Sequence, residues 1–282
     1  MTPVHDVQPP IGTQVAEDPA VRAVFSGRVA PIAVPAPTAV PDANLSLVVG
    51  AGDVASARRD ALALIGATPE SAVFMEQVHG GEVAVVGSAD AGRGVCDHAD
   101  AIPGVDALVT FECDVALAVL VADCVPVLLV DPGRGIAAVH AGRRGVQANV
   151  VATAVRTLAD ADSSGVVALV GPTIGGCCYE VAHALHDEVA AEWPQAAART
   201  TWGSPSLDLR AAVAAQLAAA GVAGVEHLGG CTRCAPAAWF SHRATTGGGA
   251  GAAGWAAGRQ AGLVVRRAAA GPARSAAAAS LD

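Results

Sequence analysis

The sequence predicts a protein of the α/β class, with a single domain in which mixed β-sheets are sandwiched by helices. Short, continuously apolar runs are typical of strands that are buried on both faces. Segments with apolar residues at helical spacing lie before and after these runs. No internal repeat and no clear linker interrupts the middle of the 282-residue chain, which is long enough to bury a substantial core.

The first predicted helix begins after Asp53, whose side chain suits an N-cap, and ends at Ile65 before Gly66. A second helix is predicted over residues 145–158, and two more over residues 181–192 and 207–220. Seven apolar runs predict strands: 72–75, 83–86, 107–110, 115–121, 125–130, 136–139 and 166–170.

The domain boundaries follow from composition. Residues 1–20 are polar and contain several prolines, so we expect a flexible N-terminal arm. Residues 21–267 are expected to form the folded domain, with a proline-rich connector at residues 31–41. Residues 268–282 form an alanine-rich tail that we expect to be flexible, as we do the Gly/Ala segment at residues 245–254.

The composition excludes several kinds of function. A net charge of −9 argues against nucleic acid as a partner, because phosphate backbones require a positive surface. No apolar run approaches the roughly 18–20 residues that span a bilayer, and no secretory signal is visible, so we expect a cytoplasmic protein with no membrane partner. All seventeen basic residues are arginine, which excludes mechanisms that depend on a lysine.

Seven cysteines in a long chain without a signal favour metal-binding, catalytic or free thiols over disulfides. Cys231 and Cys234 have the spacing of a redox or zinc motif, but no second pair with this spacing accompanies them, so we interpret Cys234 as incidental. Cys177 and Cys178 follow a glycine-rich turn and are interpreted as structural.

Three side chains that can bind a metal lie at the ends of predicted strands: His79, Cys124 and His140. Zinc accepts imidazole nitrogen and thiolate sulfur, and a catalytic zinc keeps three protein ligands and an open position. Judged singly, each residue is more often structural, since histidines at strand ends are usually hydrogen-bonded and buried cysteines pack as small apolar groups.

Five segments in order resemble a known family. They read QVHG at residues 77–80, DALVT at 106–110, ADCVPV at 122–127, HAGRRG at 140–145 and GPTIGGCCYEV at 171–181. Over residues 44–265 the chain is similar to the laccase-domain, YfiH-like family, once called multicopper polyphenol oxidases and now regarded as purine nucleoside phosphorylases. The resemblance implies the YfiH-like fold for the catalytic domain.

The resemblance also implies a zinc ion, with copper as the alternative metal, held by His79, Cys124 and His140. It implies phosphorolysis of adenosine, inosine, guanosine and methylthioadenosine, and deamination of adenosine. The partners would be purine nucleosides and phosphate, and the protein a monomer or a small homo-oligomer. A zinc ion with three protein ligands lowers the pKa of bound water to roughly 7, which suits the deamination.

Further site residues are carried over by position. Arg58 matches an Asn-Arg pair of the family, although the asparagine is Ala57 here, and is expected to act in catalysis with Cys124 and His140 and to bind substrate. Arg144, after the HAG segment, is expected to neutralise phosphate. Asn44 matches a Leu-Asn-Leu segment, and Gln77 precedes His79 by two residues; both are assigned to substrate. Each of these four residues has a structural alternative, as a salt-bridge arginine or a capping amide.

Three departures from the family affect substrate preference. Arg143 stands where the family has tryptophan, His242 stands where it has tyrosine, and the Gly/Ala segment is an insertion.

Three other functions compete with a phosphorylase. One is a thiol hydrolase, with Cys124 as nucleophile and His140 as base, acting on an amide in peptidoglycan precursor editing. Another is a phenol oxidase, which eight histidines do not support. The third is an interaction module that the metal only stabilises.

Overall fold

The structure, a computed structural model, describes residues 12–14, 18–28, 43–159, 162–222, 224–246 and 255–268. The helices in these ranges are α1 (Val54–Ala63), α2 (Arg143–Gln147), α3 (Val150–Ala159), α4 (His183–Glu192), α5 (Leu209–Ala219) and α6 (His242–Thr246). The strands are β1 (Gly12–Gln14), β2 (Val21–Phe25), β3 (Ala72–Phe74), β4 (Val83–Val85), β5 (Ala107–Thr110), β6 (Ala116–Val121), β7 (Val125–Asp131), β8 (Gly135–Ala141), β9 (Val167–Val170), β10 (Ala197–Arg199), β11 (Pro205–Leu207), β12 (Gly224–His227) and β13 (Gln260–Arg266).

The strands form two large mixed sheets and one small one. The five-stranded sheet has the order β1-β2-β13-β6-β3, and the six-stranded sheet has the order β12-β9-β7-β8-β5-β4. Strands β10 and β11 pair separately. Parallel pairs occur in both large sheets, for example β3 with β6 and β4 with β5, whereas β7, β8 and β9 pair antiparallel.

The two large sheets pack face to face between layers of helices. Strand β7 illustrates the alternation: Leu128 and Val130 face the five-stranded sheet, whereas Val127 and Leu129 face α2, α3 and α5. The outer face of the five-stranded sheet packs on α1, which buries Leu62 against it. The architecture is therefore helix, sheet, sheet, helix, and the predicted α/β class with mixed sheets between helices is confirmed.

The first helix and the seven predicted strands are all present, with ends that differ by one or two residues. Asp53 caps α1 by accepting a hydrogen bond from the Ser56 amide at 3.0 Å. The predicted helix over residues 145–158 is wrong as one element. It divides into α2 and α3 because Asn149 takes a left-handed backbone conformation with φ 57°, which asparagine tolerates better than most residues.

Strands β2, β10, β11, β12 and β13 were not predicted, and β1 lies within the stretch that we expected to be a flexible arm. Most of the rest of that arm, the proline-rich connector, most of the Gly/Ala segment and nearly all of the tail lie outside the described residues. Among the helices of the described ranges, none has the length and apolar character that crossing a bilayer requires.

Candidate metal centre

The loop from β3 to β4 and the loop from β6 to β7 bring His79 and Cys124 next to His140, near the end of β8. Their potential ligand atoms all lie within 4.8 Å of one another. The two imidazole rings meet edge to face, with centroids 4.7 Å apart. Strand pairing contributes to this convergence, because the register of β7 and β8 places His140 opposite Pro126, two residues after Cys124. Two imidazoles and one thiolate form a donor set that fits a metal ion with a free coordination position.

The backbone around the cluster is unusual at two positions, and a third position is closely packed. His79 and Asp123 adopt left-handed conformations, with φ of 63° and 89°, which are costly for residues other than glycine. Gly142 packs so closely that a Cβ atom there would lie 2.9 Å from His79 Cδ2 and 3.1 Å from Cys124 Sγ. The surrounding structure therefore holds these loops in backbone conformations that place the cluster, although the residues themselves do not favour them.

A buried carboxylate, Asp106, holds two of the three potential ligands. It lies just before β5 and accepts hydrogen bonds from the backbone amides of His79 at 2.9 Å, Gly80 at 2.6 Å and Val78 at 3.3 Å. Its Oδ1 atom is also 2.7 Å from His140 Nδ1. A histidine that donates from Nδ1 to a carboxylate presents Nε2 to a metal, which is a frequent arrangement in metalloproteins.

The electrostatics of the cluster favour a thiolate. Burial by itself raises the pKa of Cys124, but His140 and His79 outweigh this effect and lower the pKa to about 6. Burial by itself lowers the pKa of His140, but the Cys124 thiolate and the Asp106 carboxylate outweigh it and raise the pKa to about 9. In the metal-free protein, both shifts favour a thiolate at Cys124 and a protonated imidazole at His140.

The cluster opens into a cavity of about 700 Å³. Five arginines line it: Arg58, Arg143, Arg144, Arg243 and Arg259. Asp123 is the one carboxylate among the described lining residues, and hydrogen bonds from Thr232 Oγ1 and the Arg243 amide, both at 2.6 Å, engage its two oxygens. A chain with a net charge of −9 therefore contains a positively charged cavity, which favours an anionic ligand.

The mouth of the cavity also carries apolar groups. Leu47, Val48 and Val78 line it and are among the large apolar side chains that are exposed. Tyr179 forms part of the wall, and the Arg243 guanidinium lies 5.0 Å from the centre of its ring. A ligand that combines a flat apolar part with a negative charge would match both surfaces.

Arg58 lines the cavity, but most of its guanidinium is engaged elsewhere. Its Nε donates to Leu45 O at 2.8 Å, and its Nη1 donates to Gly94 O and Val95 O at 2.6 and 2.7 Å. The group stacks on Phe74 at 4.1 Å, and burial lowers its pKa to about 10, so the charge persists at neutral pH. Nη2 is the part that is left for a ligand.

Asn44 and Gln77 have backbone partners for their amides. Asn44 does not line the cavity. Its Nδ2 donates to Val49 O at 2.7 Å and its Oδ1 accepts from the Arg259 amide at 2.9 Å, so Asn44 links the loop at the cavity rim to the residue before β13. Gln77 lines the cavity, but its amide pairs with the backbone of Leu120 at 2.7 and 2.8 Å. Their direct contact with substrate stays a prediction.

Arg144 differs from these residues. It lines the cavity, its side chain is exposed, and within the described part of the chain its guanidinium has no hydrogen-bond or ion-pair partner. Arg243 and Arg259, to which the sequence analysis assigns no role, line the same cavity. The signal that could have indicated them is the absence of lysine, since any anion must then be bound by arginine.

The fold and the site together define a class of protein. Its members have two sheets packed between helices, and a cluster of histidine and cysteine that suits a metal lies in a cavity lined by arginines. A family model described as multi-copper polyphenol oxidoreductase laccase matches residues 34–267, and the chain belongs to this family. The family that the sequence resembled is thereby confirmed.

Individual relatives agree with this assignment. The chain is 47% identical over 213 residues to a purine nucleoside phosphorylase of Streptomyces coelicolor, an alignment that covers 73% of this chain and 85% of the relative. The crystal structure of YlmD from Geobacillus stearothermophilus matches with a TM-score of 0.77 and 30% identity, over 94% of this chain and 98% of that one. A hypothetical protein YfiH of Bacillus licheniformis has the same fold, with a TM-score of 0.73, 24% identity and coverage of 91% and 99%.

Proposed function

We propose that the chain is a zinc-dependent purine nucleoside phosphorylase that accepts adenosine, inosine, guanosine and methylthioadenosine and also deaminates adenosine. The observation that carries the proposal is the opening of the His79–Cys124–His140 cluster into a cavity lined by arginines. The relatives that are named purine nucleoside phosphorylases support it. We further propose that the protein acts in the cytoplasm as a monomer or a small homo-oligomer.

The donor set supports zinc. His79, Cys124 and His140 would hold the ion through two imidazole nitrogens and one thiolate, a set that suits zinc or copper and not magnesium or calcium. When bound with three protein ligands, zinc supplies a Lewis acid beside the reacting part of the substrate. The chain's own contribution is the orientation of His140 by Asp106 and the thiolate character of Cys124.

Phosphorolysis joins a phosphate oxygen to C1′ of the ribose while the bond from C1′ to the purine nitrogen breaks. Arg144 would bind the phosphate, because its guanidinium is exposed in the cavity and can donate two parallel hydrogen bonds. Arg58 would assist through Nη2, and the remaining arginines would balance the charge of the dianion. The purine would lie against the apolar rim at Leu47, Val48 and Val78.

Deamination replaces the amino group of adenosine with an oxygen from water and releases ammonia. His140 would serve this reaction as a ligand of the ion, because Asp106 fixes its Nδ1 side and leaves Nε2 for the metal. The two reactions would therefore share the cluster, and only phosphorolysis would need the phosphate-binding arginines.

Product analysis with adenosine tests the proposal. Protein whose zinc content has been measured is incubated with adenosine, with and without phosphate. We expect adenine and ribose 1-phosphate only with phosphate. Deamination should give inosine without phosphate, and inosine together with its phosphorolysis product hypoxanthine with phosphate. Cys124→Ala should lose both activities, whereas Cys96→Ala, which removes an exposed cysteine outside the cavity, should retain them. Zinc-loaded wild type that forms neither product would contradict the proposal.

A second function is supported by the same side chains. Asp106, His140 and Cys124 are arranged as a triad, with the carboxylate on His140 Nδ1 and a thiol whose pKa is lowered to about 6. Such a triad suits a thiol hydrolase that attacks an amide, such as one in a peptidoglycan precursor. This function requires that amide cleavage persists after zinc removal and is lost in Cys124→Ala. Nucleoside turnover that depends on zinc favours the phosphorylase instead.

A further inference from the structure

Four cysteines outside the cavity lining converge in a second cluster. Cys177 and Cys178 lie in the loop after β9, and Cys231 and Cys234 flank a short turn after β12. Their sulfur atoms all lie within 4.8 Å of one another. The structure supplies the second cysteine pair that the sequence spacing lacked, so Cys234, which the sequence analysis interpreted as incidental, lies in a cluster of four cysteines. We propose that these four cysteines bind a structural zinc ion.

Three of the six distances between the sulfur atoms match this coordination closely, and the three that involve Cys231 are within 4.8 Å. Four sulfurs at about 2.3 Å from one zinc form a tetrahedron with edges of about 3.8 Å. The observed separations are 3.7 Å between Cys177 and Cys178, 3.8 Å between Cys177 and Cys234, and 3.5 Å between Cys178 and Cys234. A disulfide would bring two sulfurs to about 2.0 Å. An iron–sulfur cube would spread them, since each thiolate binds a different iron.

The surroundings of the cluster also suit a thiolate site. The Gly175 amide donates to Cys231 Sγ at 3.2 Å, a hydrogen bond of the kind that stabilises charge on metal-bound sulfur. A Cβ atom at Gly175 would lie 3.1 Å from Cys177 Sγ, so glycine allows this loop to close around the sulfurs. Cys178 is buried and Cys234 is exposed, which leaves a path by which the ion can enter from solvent.

The position of the cluster gives the ion a structural task. Four cysteines leave no open coordination position, as in structural zinc sites. Thr232, directly after Cys231, donates to Asp123 Oδ1 at 2.6 Å, and Asp123 precedes Cys124 in the cavity wall. An ion at the four cysteines would tie the loop that carries Thr232 to the loop after β9, and so support the wall beside the first cluster without taking part in its chemistry.

Zinc content per chain tests this proposal directly. Wild type should contain about two zinc ions per chain, and Cys234→Ser, which alters the exposed member of the cluster, about one. Cys124→Ala should also fall to about one, whereas Cys96→Ser should keep two. With cobalt in place of zinc, the intense charge-transfer bands of four thiolates should persist in Cys124→Ala and be lost in Cys234→Ser.

X-ray absorption at the zinc edge of the wild type does not depend on how the variants fold. Two occupied sites should give an average of about 2.5 sulfur ligands per zinc, against about one if only the first cluster is occupied. An average near one, or equal zinc content in wild type and Cys234→Ser, would overturn the proposal. So would a disulfide among the four cysteines in protein purified without oxidant. None of these results depends on nucleoside turnover, so they can be distinguished from a failure of the proposed function.

Discussion

Replacement of Asp106 by asparagine is expected to weaken metal binding without removing a ligand. The carboxylate accepts hydrogen bonds on both oxygens, from the amides of His79 and Gly80 and from the His140 ring. Asparagine keeps one acceptor oxygen and turns an NH₂ group towards a donor. At least one buried hydrogen bond to a charged group is then lost, which costs about 1.5–3 kcal/mol of unfolding free energy.

The effect on metal affinity can be stated separately. Loss of the carboxylate that orients a ligating histidine weakens metal binding by about 10- to 100-fold, or about 1.4–2.8 kcal/mol. Competition with a chromophoric chelator measures the zinc affinity, and urea unfolding of the metal-free protein measures stability. Asp60→Asn, at an exposed position on α1, is the matched control. If Asp106→Asn bound zinc as tightly as Asp60→Asn, the assigned role of Asp106 would be refuted.

Asp106 also predicts a pH dependence of stability. Burial by itself raises its pKa, but hydrogen bonds from His140 and the Gly80 amide outweigh burial and hold the pKa below its ordinary value. The folded state therefore gains stability from the ionised group above about pH 4, and loses it as the pH falls through the lowered pKa. Metal-free Asp106→Asn should lack this part of the acid-induced loss in urea titrations between neutral pH and pH 3.

Three further substitutions test separate parts of the site. Gly142→Ala places a Cβ atom against the first cluster and should weaken zinc binding at least about tenfold in the chelator assay, whereas Gly165→Ala, in open space, should not. Arg144→Ala should raise the KM for phosphate about 10- to 100-fold in initial-rate assays of phosphorolysis. Adenosine deamination should be unchanged and serves as the internal control. An equal loss of phosphorolysis and deamination would contradict a role in phosphate binding. Thr232→Val removes the hydrogen bond to Asp123 and should lower the unfolding free energy, measured in urea, by about 1–3 kcal/mol. Thr232→Ser keeps the hydroxyl and should retain the hydrogen bond. Equal stability of the two variants would show that the bond is unimportant.

Much of the fold could be predicted from sequence because most strands are buried on both faces. Strands β5 to β9 read as continuous apolar runs, and the Asp53 cap signals α1. The pattern does not indicate which strands pair. Strand β13 lies at the centre of the five-stranded sheet. Its sequence, QAGLVVR, was not identified as a strand because it follows directly on a region rich in glycine and alanine.

The candidate site was accessible to sequence reasoning only in part. The segments around His79, Cys124 and His140 were identified by resemblance, and their convergence follows from the fold. The role of Asp106 could not be predicted, because its partners are backbone amides about 26 residues earlier in the chain. The second cysteine cluster was missed because its members come from separate loops, and local spacing indicates only ligands that are close in sequence.

The central position of β13 has a consequence for biosynthesis. This strand pairs with β2 on one side and β6 on the other, so β2 lacks a neighbour on that side until β13, about 240 residues later, has been synthesised. The six-stranded sheet, whose strands lie between residues 83 and 227, can form before β13 is synthesised. The five-stranded sheet, whose strand β6 leads to Cys124, is completed only after β13 has been synthesised, so the synthesis of this strand sets the earliest time at which a nascent chain can form the whole site.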